Sequence, residues 1–537
     1  MVIPDRATYS PGERVVIELD EEVFDAEAVV THLSRVVARV TVPTGATKVD
    51  LGTFEQGGYG VRVGEATTAF DVLHSMWDRP RYGFVVKLTE GVEPAAITRF
   101  FRRMHLSAAQ LYDWAYRHST LMPPAQTYVD PLGQPRDMAV VNGVSEALGA
   151  VNTVPLGYAA VYAVSHAESA DWHSSLLMRN ADEPYRLGDE FLVLVDPAEP
   201  RWLAHFLDQL ANVVESSQLA GFHLDQYGWP KFATRADGVR VDLAASFATL
   251  IEAVRERLPD TPFMFNNVND FPTHLTAGLS QNATYIEVWE PHTTLGDLGA
   301  LAQAAWTARP DHAPILSAYL SCYAEAPEPA ATRAAELVMA TAFSHGATHL
   351  LLGETGHALI DPYYPRNHVL SEASLDTFAR WYDFAVRYGD LLYGADRADV
   401  TEFYAGGINE DIVLSAEIEV STKAHAGSLW LRVVRVKEGI VVHVVNLAAQ
   451  QETAWDAPKQ AVREVGGATL AVSFVKPGAM LYAASPDSPD LFPLASMGSV
   501  AGDQLNSLSA GQGGARFALP TLGVWTTIWI PRSSIGL

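Results

Sequence analysis

The chain of 537 residues contains one cysteine, Cys322. A lone thiol closes no intramolecular disulfide and builds no multi-cysteine zinc site. Cations are scarce: 37 Lys and Arg stand against 63 Asp and Glu, a formal charge of −26. Phosphate binding needs clustered Lys and Arg, so neither nucleic acid nor an anionic membrane is expected as a partner. No apolar run of about 18 residues is present to span a bilayer. The start, Met1-Val2-Ile3-Pro4-Asp5-Arg6, lacks a basic segment followed by an apolar one. The chain as written is therefore expected in the cytoplasm, a secreted mature chain being the alternative. There is no H-E-x-x-H, P-loop or G-x-S-x-G, and no Gly-rich dinucleotide turn. No metal and no cofactor are expected.

What is present is material for large cores: 48% hydrophobic and 10% aromatic residues, enough for two to four domains. Residues 1–73 read as short strands, among them Val15 to Leu19, Ala38 to Val42 and Gly60 to Val63. Turns such as Ser10-Pro11-Gly12 separate them, and a small antiparallel sandwich fits. Over 74–395 strand-like runs alternate with helical ones. Eight strands are expected at 82–87, 108–114, 156–163, 219–225, 262–268, 283–289, 314–319 and 347–353, which predicts a (β/α)8 TIM barrel. Over 396–537 the helical pattern stops. Leu429 to Val436, Ile440 to Val445 and Val524 to Ile530 predict an antiparallel β-domain, and Gly498 to Gly514 reads as a surface loop.

Two of the expected strands end in a carboxylate beside aromatics: Gly221-Phe222-His223-Leu224-Asp225-Gln226-Tyr227, and Tyr285-Ile286-Glu287-Val288-Trp289. Strand alternation puts His223 and Asp225 on one face, and Tyr285, Glu287 and Trp289 on one face. Both carboxylates then point to the barrel axis at its C-terminal end, where barrel active sites lie. Such a pair supplies the acid and the nucleophile or base of glycosidic cleavage. The plainer reading of each alone is a helix cap or a solvated loop residue. Glu290 rivals Glu287, but has the wrong parity if the strand runs that far.

Aromatics gather near the same strand ends: Tyr112, Trp114 and Tyr116, followed by Arg117 and His118, then Tyr162, Tyr227, Trp289, Tyr319, Tyr363 and Tyr364. Sugar faces stack on such rings. Many of these could equally be packing residues. Asn266, Asn267 and Asn269, with His223 and Gln226, are neutral hydrogen-bonding groups, and Asn267 and Asn269 are carried as candidate sugar contacts.

Several segments, in order along the chain, resemble glycoside hydrolase family 66, the dextranases and cycloisomaltooligosaccharide glucanotransferases. They include Asp5-Arg6-Ala7-Thr8-Tyr9-Ser10-Pro11-Gly12-Glu13, Tyr112-Asp113-Trp114-Ala115-Tyr116-Arg117-His118 and Phe265-Asn266-Asn267-Val268-Asn269. Gly353-Glu354, Tyr363-Tyr364-Pro365-Arg366-Asn367 and Trp455-Asp456 continue the series, and Glu354 joins the candidate substrate contacts. The resemblance implies an immunoglobulin-like domain, a barrel and a Greek-key β-domain. It also implies a retaining endo-enzyme on α-1,6-glucan, dextran or isomaltooligosaccharides, with Asp225 as nucleophile and Glu287 as acid/base. Transfer that forms cyclic or longer isomaltooligosaccharides is the alternative to hydrolysis. A noncatalytic glucan-binding protein is a more distant one. Cyclising members carry a carbohydrate-binding module inserted in the barrel region, for which this chain has no room.

Overall fold

The computed structural model describes residues 1–20, 26–188, 190–500 and 514–536. Eight β-segments run parallel, in chain order, within an eleven-stranded sheet. They begin with Tyr82–Val85, Ala108–Leu111, Val154–Ala160 and Gly221–Asp225. Phe263–Val268, Ala283–Glu287 and Ile315–Ser317 follow. The eighth segment is broken: Thr348–His349 pairs with the seventh strand, while Leu352–Gly353 pairs with the first. The sheet is curled, with Thr348–His349 beside the seventh strand and Leu352–Gly353 beside the first. Its inner face is filled rather than hollow. Phe84, Leu156, Met264, Ala283 and Ile315 are buried there in one cluster with Tyr82, Tyr285 and Tyr364.

Helices cover the outer face, including Pro94–Arg103, Pro200–Ser216, Leu243–Arg257, Leu295–Ala308, Glu328–Ser344 and Glu372–Arg387. The fourth strand shows why its sequence is as it is. Phe222 and Leu224 point to the helices and are fully buried, while the alternate residues face inward. Its first residue must be glycine, since a Cβ at Gly221 would lie 1.8 Å from the Pro262 carbonyl oxygen.

Before the curled sheet lie a three-stranded sheet and a four-stranded antiparallel sheet, Arg35–Val42, Ala26–His32, Gly57–Val63 and Ala66–Val72. A buried, two-pronged ion pair between Arg81 and Asp71, at 2.7 and 3.1 Å, joins this part to the first parallel strand. After the curled sheet come two mainly antiparallel sheets, one built around Leu429–Val436, Gly439–Asn446 and Trp525–Pro531. Of the expected loop from Gly498 to Gly514, residues 501–513 lie outside the described residues. Ser496–Val500 and Gly514–Ala518 pair as strands.

The expected strands are all occupied, but several stop early. The second ends at Leu111 rather than 114, and the sixth at Glu287 rather than 289. Asp113, at φ 45°, turns the chain out of the second strand. No helix among the described residues is long and apolar enough to cross a membrane.

Candidate active site

A cleft of about 370 Å³ opens at the C-terminal ends of the parallel strands. Asp225 is the last residue of the fourth strand and Glu287 the last of the sixth. Both line the cleft. Between them, on the fifth strand, Asn266 donates from its single Nδ2 to Asp225 Oδ1 and to Glu287 Oε2, each at 2.7 Å. Those two oxygens are therefore no more than twice 2.7 Å, about 5.4 Å, apart. Among the described residues the Asn266 Oδ1 has no hydrogen-bond partner, so the carboxylates alone set the amide's orientation. The other oxygen of Asp225 accepts from the Tyr158 hydroxyl at 2.7 Å.

Burial pushes both carboxyls above their ordinary values. For Asp225, hydrogen bonds from Tyr158, Asn266 and the Gln226 backbone oppose that rise. For Glu287, the charge of Asp225 adds to it, against hydrogen bonds from Asn266, Tyr319 and Trp289. Glu287 consequently keeps its proton to higher pH than Asp225, the division of labour an acid and a nucleophile require.

Around the pair stands a layer of tyrosines: Tyr82, Tyr112, Tyr158, Tyr285, Tyr319 and Tyr364. Burial pushes all six hydroxyls well above the ordinary tyrosine range. Tyr112 and Tyr364 stack with ring centres 4.4 Å apart. His223 bonds the Tyr82 hydroxyl at 3.1 Å, and burial pulls its pKa down to about 3, so it is a neutral group here.

The expected contacts divide. Tyr112, His118, His223, Gln226, Tyr227, Trp289, Tyr319 and Tyr363 line the cleft with the two carboxylates. Gln226, however, spends its amide on the Asn266 and Phe271 carbonyls and the Gly228 N–H. Trp114 is a correction: it is fully buried, its Nε1 bonded to the Tyr158 carbonyl. It packs against Gly157, where a Cβ would come within 2.5 Å of Nε1. Tyr116 and Arg117 also stay out of the cleft, stacked on each other at 4.1 Å. Tyr162 is buried and holds the Tyr227 N–H and the Trp229 carbonyl. Asn267 faces away, donating to the Tyr285 carbonyl at 2.9 Å. Asn269 ties down the loop after Glu287. Glu354 accepts the Val86 and Lys87 N–H groups and is a loop anchor. The rival Glu290 is exposed outside the cleft.

Among the cleft residues not carried as candidate contacts are Asp113, Tyr158 and Asn266. Asp113 is a third carboxyl. Burial pushes it up to about 7, with the charges of Asp130 and Asp225 adding and Arg136 opposing. The alternation that selected Asp225 also selects Asn266 over Asn267 once it is carried to the next strand. Among the described residues, no group of three or more His, Cys, Asp or Glu is arranged to hold a metal ion.

Paired carboxyls in a tyrosine-rich cleft are the equipment of glycosidic-bond chemistry. The chain belongs to glycosyl hydrolase family 66, whose model matches residues 4–529. Two cycloisomaltooligosaccharide glucanotransferases of Niallia circulans are similar in sequence. One is 24% identical over 440 residues, 72% of this chain and 44% of that protein. The other is 23% identical over 370 residues, 60% of this chain and 38% of that protein. The chain thus spans about two-fifths of the length of these curated relatives. A Paenibacillus sp. cycloisomaltooligosaccharide glucanotransferase, solved with cycloisomaltoheptaose, has the same fold. Its TM-score is 0.86 at 17% identity, over 98% of this chain and 99% of that one.

Proposed function

We propose that the protein acts on α-1,6-linked glucan or isomaltooligosaccharides by double displacement with retention. The observation that carries this is the shared Asn266 amide, which holds one oxygen of Asp225 and one of Glu287 within about 5.4 Å of each other. Retaining enzymes keep their carboxyls about 5–5.5 Å apart, whereas inverting ones need roughly 6.5–9.5 Å to admit a water. Asp225 attacks the anomeric carbon while Glu287 gives its proton to the leaving oxygen. Glu287, now ionised, removes a proton from the incoming hydroxyl as the glucosyl–Asp225 bond breaks. The names of the relatives favour a sugar hydroxyl as that acceptor, making the enzyme a glucanotransferase that forms cyclic or longer isomaltooligosaccharides. Water as acceptor, giving dextranase-like hydrolysis, is the second reading and rests on the same carboxyl geometry.

The curled sheet is, in this reading, a closed (β/α)8 barrel spanning 74–395. It stands between an immunoglobulin-like sandwich over 1–73 and a Greek-key β-sandwich over 396–537. The broken eighth strand, paired on both sides, supports closure. Incubation with dextran and with defined isomaltooligosaccharides, read by anomer-resolved NMR and chromatography, tests the proposal. An α-configured first product is expected, together with cyclic or elongated sugars. A β-configured first product would sink it.

A further inference from the structure

Two large side chains of the cleft are left partly uncovered, Trp229 past the fourth strand and Trp289 past the sixth; the second stands on the Glu287 side. Trp289 is 38% exposed, two residues past Glu287, its ring centre 5.9 Å from that of Tyr319. Its backbone is nevertheless held tightly. The Trp289 N–H donates to Asn269 Oδ1 at 3.3 Å, Asn269 N donates to the Glu287 carbonyl at 2.7 Å, and Asn269 Nδ2 donates to the Glu290 carbonyl at 2.6 Å. Asn269 occupies the left-handed region, φ 53°, to make these bonds.

A second brace comes from far along the chain. Trp455 Nε1 donates to the His292 carbonyl at 2.7 Å, and Leu295 N donates to the Thr453 carbonyl at 2.8 Å. Asp456 accepts Ser321 Oγ at 2.6 Å and Cys322 N at 3.1 Å, fixing the loop that follows Tyr319. An exposed indole on a doubly braced loop is a surface prepared for a flat apolar partner.

We infer that Trp289 is the stacking platform of the acceptor sugar and decides whether a sugar hydroxyl or water resolves the glucosyl-enzyme. This rests on the double-displacement reading above. In that reaction the leaving sugar takes the proton of Glu287, so it lies on the Glu287 side of the pair. By microscopic reversibility the acceptor sugar occupies the same place when Glu287 takes its proton back. Trp289 and Tyr319 follow the sixth and seventh strands, on that side, whereas Tyr158 on the third strand and Asp113 and His118 after the second stand beyond Asp225. In the transfer step the acceptor O–H gives its proton to Glu287 and its oxygen bonds the anomeric carbon. The bond from that carbon to Asp225 breaks, its electron pair returning to the carboxylate. A ring that seats the acceptor raises its occupancy there and displaces water.

The test is the partition of one intermediate, so it does not depend on how fast the intermediate forms. The full chain is incubated with isomaltohexaose and increasing labelled isomaltotriose, and transfer and hydrolysis products are counted. Trp289→Ala should lower the transfer-to-hydrolysis ratio about tenfold, the upper range for one aromatic contact. Trp289→Phe keeps a ring but loses the indole N–H near Glu287, and should stay within about twofold of the parent. An unchanged ratio in Trp289→Ala overturns the proposal. So does an equal fall in both variants, which would assign the effect to Glu287. A parent enzyme that hydrolyses but never transfers overturns it while sparing double displacement. Failure of the parent to cleave isomaltohexaose sinks both.

Discussion

The two walls of the cleft are built on different terms. On the fourth-strand side, Asp225 has donors on both oxygens and tyrosines around it. On the sixth-strand side, Glu287 shares one amide with Asp225 and is followed by an exposed indole on a loop tied to the distant Thr453–Asp456 segment. One wall is furnished to hold negative charge. The other is furnished to hold a proton and a ring. The difference teaches that acid and nucleophile are separated here by the Asp225 charge, which raises Glu287 further, more than by burial or donors, which both share.

The largest break in that comparison comes from the carboxyls themselves. Asp225→Asn and Glu287→Gln should each cut turnover of isomaltooligosaccharides by about a thousandfold or more, with the fold intact by circular dichroism. A glycosyl fluoride, whose leaving group needs no proton, should restore the first step in Glu287→Gln and not in Asp225→Asn. Next comes Asn266→Ala, which removes the donor common to both walls and should cost about a hundredfold in kcat. The amide favours both ionised forms, so its loss raises both pKa values. Both limbs of the bell-shaped pH profile should move to higher pH.

Tyr158→Phe sharpens the comparison further by touching one wall only. A hydrogen bond to a charged group contributes roughly 1.5–3 kcal/mol, so about a tenfold loss or more is expected. The Asp225 pKa rises without its donor, so the acid limb, where Asp225 must be ionised, moves to higher pH and the alkaline limb stays. In the parent enzyme both limbs should already lie above ordinary Asp and Glu values, since burial raises both groups. The smallest effect is Asp456→Ala, which loosens the loop after Tyr319. A few-fold rise in acceptor KM is expected, with a change of about twofold or less in glycosyl fluoride turnover.

How much of this the sequence reveals follows from how far each strand runs. Alternation places Asp225 and Glu287 because both strands continue to the carboxylate. It misleads in the second strand, which stops at Leu111. There the left-handed Asp113 reverses the expected faces, sending Trp114 into the core and bringing Asp113 to the cleft. Tyr158 was legible in principle, lying on a run expected as a strand, but a tyrosine there reads equally as packing. Glu354 and Tyr162 were misjudged for a different reason. Their partners are backbone groups of other loops, and such pairings cannot be seen before the chain is folded. The β-rich ends and the eight parallel segments were legible because period-two and period-3.6 patterns separate cleanly in those stretches.

The tyrosine layer has a consequence for salt. Its hydroxyls stay protonated through any working pH, and His223 stays neutral, so the floor under the sugar carries no charge that ions can screen. A glucan brings none either. Although the chain as a whole carries −26 and Asp225 is ionised in the cleft, a neutral glucan is held there by rings and hydroxyls, on which ionic strength has little to act. Sugar capture here should be nearly as tight in brine as in dilute buffer.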